Sequence, residues 1–148
     1  MIEVKKILAP TDFSEHARGA VKWACLLAEK FGAELHLLHV LPEAIPAGPD
    51  LMLAPSVPPD FYGESEARAN EALHKVIDPT WANVPGVAIS VRWGSAVEGV
   101  TDYAAQQGID LIVVATHGRT GLSHVLLGSV AERIVREAPC PVLTIRMK

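Results

Sequence analysis

Short runs of consecutive apolar residues alternate along this chain with longer stretches in which apolar positions recur every three or four residues. The first run, Lys6-Ile7-Leu8-Ala9-Pro10, reads as a strand covered on both faces, since such a strand needs apolar side chains at successive positions. Next come Ala17, Ala20, Val21, Ala24, Leu27, Ala28 and Phe31, one stripe of an amphipathic helix, with Ser14 placed to cap it and Gly32 to stop it. Residues 34–40 form a second apolar run. The same pattern predicts strands over 87–93, 109–115 and 141–146, and helices over about 64–77, between Ser95 and Gly108, and over 129–137. Ser95 and Glu98 have capping-box spacing, as do Ser129 and Glu132.

Six of the eleven prolines fall between Pro42 and Pro59, in a stretch without periodicity. Residues 42–60 therefore read as a long Pro-rich loop inside one domain spanning 1–148. Strict alternation of strand and helix implies an α/β fold, a five-stranded parallel sheet with helices on both faces and right-handed crossovers. With strand order 3-2-1-4-5, the ends of strands one and four flank the point where the winding reverses, which is where such sheets bind ligands. Those ends are Pro10-Thr11-Asp12 and Ala115-Thr116-His117-Gly118.

The second of these ends suggests chemistry. A strand, a glycine-bearing loop and the helix start at Gly128-Ser129 form a natural anion site, because loop and helix N-terminus both present backbone N–H groups. No lysine stands where a Walker loop needs one. His36 and His39 are three apart in a strand, point to opposite faces and cannot chelate one metal. Cys25 and Cys140 lack metal-type spacing and read as free thiols. There is no Gly-x-Ser-x-Gly elbow and no cysteine beside a base, so nucleophilic hydrolysis finds no support. A formal net charge of −4 argues against nucleic acid as a partner. No apolar run is long enough to span a bilayer and no leader precedes the first strand, so the expected location is cytoplasmic.

Ala9-Pro10-Thr11-Asp12-Phe13-Ser14, Leu38-His39-Val40, Ala115-Thr116-His117-Gly118-Arg119-Thr120-Gly121 and Leu127-Gly128-Ser129-Val130 together resemble the universal stress protein family, over essentially the whole chain. The nucleotide-binding branch of that family carries G-x-x-G, nine residues, then G-[ST]. Here the spacing is the same and Ala115 replaces the first glycine. If position 115 needed φ > 0, alanine would be strained by roughly 1 kcal/mol; if it needs only a small residue, as a strand end suggests, alanine serves.

The resemblance implies a Rossmann-like, adenine nucleotide α-hydrolase-like fold that binds ATP, with Mg2+ as a candidate companion. It implies that the Val40 backbone meets the adenine edge and that Pro10, Thr11 and Asp12 line the adenosine pocket, Asp12 lying near the ribose or a metal. Ala115 and His117 lie in the loop, Gly118 and Arg119 meet phosphates from it, and Gly128, Ser129 and Val130 meet them from the helix. Each has a plainer reading beside this one. Ser129 is a candidate helix cap, Asp12 a turn brace, His117 a turn stabiliser, and Arg119 an ordinary solvated charge.

The expected function is that of a regulatory nucleotide-binding module with an unknown protein partner and no catalytic residues. The alternatives are a family member that binds no nucleotide and acts through protein contacts, or an enzyme that slowly hydrolyses ATP or phosphorylates itself. Val142, Leu143, Thr144 and Ile145 form an apolar edge strand, and the expectation, shared by the resemblance, is a homodimer paired through it. On this reading Leu143→Pro removes a pairing donor, and Gly128→Val blocks phosphate while sparing the fold.

Overall fold

The computed structural model describes residues 1–43, 57–118 and 127–147. The elements follow in the order β1 (Lys6–Pro10), α1 (Glu15–Phe31), β2 (Glu34–Leu41), α2 (Phe61–Val76), β3 (Val87–Trp93), α3 (Ala96–Gln107), β4 (Leu111–Ala115), α4 (Ser129–Glu137) and β5 (Val142–Ile145). The strands form one parallel sheet in the order β3-β2-β1-β4-β5. Among the described residues no helix is long and apolar enough to cross a membrane.

The two-residue period of each strand divides the core in two. Ile7, Ala9, Leu35, Leu37 and Val113 face α1 and α2, where they meet Ala20, Val21, Ala24, Ala28 and Leu73. Leu8, Leu38, Ile112 and Val114 face α3 and α4, against Val97, Val100, Ala104, Ala131 and Ile134. Ile7, Leu8, Leu35, Leu37, Leu38 and Ile112 are fully buried, each contributing about 1.5–3 kcal/mol of hydrophobic stabilisation. Small residues on α1 let it lie close over β1 and β4 at the centre of the sheet.

Element ends differ from the sequence expectation where a backbone group is used elsewhere. β4 begins at Leu111 and not at residue 109, because Ile109 N–H and the αL cap Gly108 N–H (φ 63°) both bond to the Ala104 carbonyl and close α3. β5 begins at Val142, since Pro141 has no N–H; its carbonyl still accepts from Ile112 N–H at 3.0 Å. α2 starts earlier than expected, at Phe61, whose N–H bonds to the Pro58 carbonyl while Tyr62 packs its ring 4.8 Å from that of Trp93.

Neither capping box forms. Ser95 is the N-cap of α3 without a side-chain bond. Ser129 is the first residue of α4, not its cap; Gly128 is the N-cap, and Glu132 is engaged by Arg136 at 2.5 Å. Ser14 does cap α1, accepting from Ala17 N–H at 3.2 Å.

Candidate functional site

β1 and β4 are neighbours whose following segments leave on opposite faces, so their C-terminal ends open a crevice. After β1 the chain makes a tight turn built from its own side chains. Phe13 N–H donates to Thr11 Oγ1 and Ser14 N–H to Asp12 Oδ1, both at 3.0 Å. Phe13 itself has φ 65°, a left-handed conformation that costs a bulky residue roughly 1–2 kcal/mol. Thr11 is anchored to β2, its N–H bonding to the Leu38 carbonyl at 2.8 Å and its carbonyl accepting from His39 Nδ1 at 2.7 Å.

After β4, the Thr116 carbonyl accepts from Gly128 N–H at 2.6 Å, bringing the start of α4 back to the end of β4. A Cβ on Gly128 would lie 3.0 Å from that carbonyl oxygen, and a Cβ on Gly118 would lie 2.7 Å from Asp12 Oδ2. Both glycines are therefore positions of close backbone approach. A side chain at Gly128 would press on the Thr116 carbonyl as well as on the cleft, so a loss of binding in Gly128→Val would not by itself report a phosphate contact.

Between the two turns lies a cavity of about 530 Å³, within the size range of small-molecule sites. Pro10, Thr11, Asp12, Val40, Ala115, His117, Gly118, Gly128, Ser129 and Val130 all line it. Arg119 lies outside the described residues, as do Thr120 and Gly121 and most of the Pro-rich 42–60 stretch. Leu38, Val100, Val114 and Ile134 supply apolar walls. Ala96 and His39 also face the cavity. Sequence reading missed these residues: the apolar ones already served the core pattern, and the spacing of His39 from His36 spoke only to metal binding. The first residues of α4, Gly128 to Ala131, line the cavity, and among the described residues no side chain caps that helix, which leaves its first-turn N–H groups and the positive end of its dipole beside the cavity.

Among the described non-glycine residues only Phe13 has positive φ, so Ala115 sits unstrained at the end of β4. His117 Nδ1 is 3.1 Å from Thr116 Oγ1, consistent with the turn-bracing reading, while its ring meets His16 edge-on at 6.1 Å. The other strand histidines part company as their spacing requires. His39 turns to Thr11 and Phe13, and His36 is buried against Tyr103, with Nδ1 2.8 Å from the phenol oxygen. Burial holds His36 below the ordinary imidazole range, and Glu34 Oε2, 3.6 Å from Nε2, opposes this only in part. Burial also raises both thiols, Cys25 to about 11. No group of three or more metal-ligating side chains occurs among the described residues.

Residues 3–146 match the model of the universal stress protein family. The chain belongs to that family. Universal stress protein MJ0531 of Methanocaldococcus jannaschii is 35% identical over 145 residues, covering 96% of this chain and 82% of its own. MJ0577 of the same organism is 31% identical over 156 residues, covering 97% of this chain and 96% of its own. The solved structure of MJ0577 superposes with a TM-score of 0.81 at 28% identity and covers 99% of both chains. That of universal stress protein UspA from Lactobacillus plantarum also superposes at 0.81 and 28% identity, over 97% of this chain and 99% of its own. Two more distant family structures share the fold. One, in complex with cAMP, has a TM-score of 0.69 at 21% identity, covering 98% of this chain and 99% of its own. The other, from Arabidopsis thaliana with AMP bound, has a TM-score of 0.65 at 18% identity, covering 97% of this chain and 92% of its own.

Proposed function

We propose that this universal stress protein binds ATP in the cavity between β1 and β4 and acts as a regulatory module whose occupancy is read by a protein partner. The observation that carries the reading is that one cavity of about 530 Å³ is lined both by the apolar side chains of Leu38, Val100, Val114 and Ile134 and by Gly118, Gly128 and the first residues of α4. The apolar lining suits a flat base, and the backbone N–H groups of the helix start suit phosphates. The two distant family structures holding cAMP and AMP agree with the choice of an adenine nucleotide, though at their identities they share only the fold.

In this reading the Val40 backbone meets the adenine edge, Pro10 and Thr11 enclose the adenosine, and Gly118, Arg119, Gly128, Ser129 and Val130 receive the phosphates. Asp12 is too near Gly118 to welcome a bare phosphate, so its carboxylate favours the ribose hydroxyls or a Mg2+ carried by the nucleotide. No residue is assigned as general base, and turnover should fall far below the ~10 s⁻¹ typical of enzymes. Assembly as a homodimer through the open edge of β5 is part of the same proposal.

Calorimetric titration with ATP, ADP and AMP, with and without Mg2+, tests the site. ATP should bind most tightly and gain from Mg2+. Equal affinities for ATP and AMP would remove the phosphate assignment, and no binding below the millimolar range would remove the function.

A further inference from the structure

The register of β1 on β2 ends at Pro10↔Leu38, and Thr11 lies just beyond. Its N–H still reaches the Leu38 carbonyl at 2.8 Å, but its own carbonyl is taken by a side chain, His39 Nδ1, at 2.7 Å. A carbonyl can only accept, so Nδ1 carries the proton. The peptide joining Thr11 to Asp12 is planar and trans, so holding its carbonyl toward β2 turns the Asp12 N–H the opposite way and sets the line along which Asp12 leaves the turn. The same imidazole packs against Phe13, ring centroids 4.6 Å apart, at the one described non-glycine residue with φ in the left-handed region. His39 thus holds both the peptide before Asp12 and the strained residue after it, from a position on the cavity wall.

We infer that His39 is a positioning residue of the cleft: its Nδ1–H, given to the Thr11 carbonyl, aims the Asp12 carboxylate at Gly118 and sets the shape of the ligand-binding turn. Its effect on ligand affinity rests on the ATP reading above. Its effect on the turn rests on hydrogen-bond geometry alone.

The position of the donor distinguishes this role from simple packing. Nδ1 is bonded to Cγ, as is the amide nitrogen of asparagine, whereas the amide nitrogen of glutamine lies one bond further out, in the place of Nε2. His39→Asn can therefore keep the bond to Thr11, while His39→Gln and His39→Leu cannot. With ATP as the probe, His39→Asn should bind within about twofold of the wild type. His39→Gln and His39→Leu should bind roughly tenfold more weakly, the scale of one hydrogen bond.

NMR of the ligand-free protein supplies the independent arm. Long-range proton–nitrogen spectra should place the His39 proton on Nδ1. The amides of Asp12 and Gly118 should shift in His39→Gln and stay near their wild-type positions in His39→Asn, while that of Phe13 should move in both, since both lose the imidazole ring. A proton found only on Nε2, or turn amides that do not move in His39→Gln, would overturn the inference whether or not ATP binds. Equal losses of affinity in the Asn and Gln variants would overturn it as well. A wild type that binds no ATP yet shows the Nδ1 proton and the shifted amides would sink the proposed ligand and leave His39 as the organiser of the turn.

Discussion

Gly118 faces the Asp12 carboxylate so closely that a methyl group on its α-carbon would lie 2.7 Å from Oδ2. The two loops that bound the cavity meet at this point, one from β1 and one from β4. Asp12 cannot simply swing aside, because its Oδ1 holds the Ser14 N–H at the start of α1.

Gly118→Ala should therefore force the carboxylate round, costing about 1 kcal/mol of stability and roughly tenfold in ATP affinity. Urea unfolding and calorimetry measure the two losses. In combination with Asp12→Ala, which removes the clash, the stability losses should be clearly less than additive. Strict additivity would mean that the two residues do not press on one another.

Ala115→Gly should leave ATP affinity within about twofold, since the position needs no positive φ, while costing about 0.5–1 kcal/mol through backbone entropy. A large gain in affinity would show that the alanine methyl obstructs the ligand.

The open edge of β5 can be addressed one residue at a time. The Pro141 and Ile145 carbonyls accept from Ile112 and Thr116 N–H, so residues 141, 143 and 145 turn their backbone groups toward β4. Those of Val142 and Thr144 consequently face the edge. Leu143→Pro would thus break the β4–β5 ladder and unfold the region, whereas Thr144→Pro removes an edge donor at a place where proline is tolerated. Light scattering should give twice the 15.9 kDa chain mass for wild type and the single mass for Thr144→Pro. A dimer that survives Thr144→Pro must form elsewhere.

His36 predicts a pH dependence of stability. Burial, opposed only in part by Glu34, lowers its folded pKa below the 6.5 of an unfolded histidine. As pH falls below about 6.5 the unfolded chain takes up the proton first, so stability present above that pH declines until the folded pKa is passed. His36→Asn keeps a polar atom toward Tyr103 but cannot titrate. Between pH 7.5 and 5 the wild type should lose more stability than this variant in urea titrations; parallel curves would exclude His36 as the source.

Elements and their order were legible in the sequence because burial on two faces imposes local periods. Leu8 and Ile7 must both be apolar wherever the sheet lies, and the α1 stripe closes on Gly32 whatever packs against it. Alternation and handedness called for a parallel doubly wound sheet but are compatible with more than one strand order; the order 3-2-1-4-5, on which the meeting of Thr11-Asp12 and Gly118 at one crevice depends, is the one the structure has. Several features depended on tertiary structure. The role of Ser129 turned on where α4 begins: Gly128 is extended (φ −67°, ψ 157°) and its carbonyl accepts from Glu132 N–H at 2.9 Å, so Gly128 is the cap and the serine lies inside the helix. The Phe13 conformation and the His39 bond to Thr11 depend on the β1–β2 register, which joins residues 28 positions apart. Which β5 residues face the open edge likewise depended on pairing with β4. Periodicity reports how much of a side chain is covered; it carries no information on which backbone group a given donor will reach, because that is decided only when distant segments are fixed side by side.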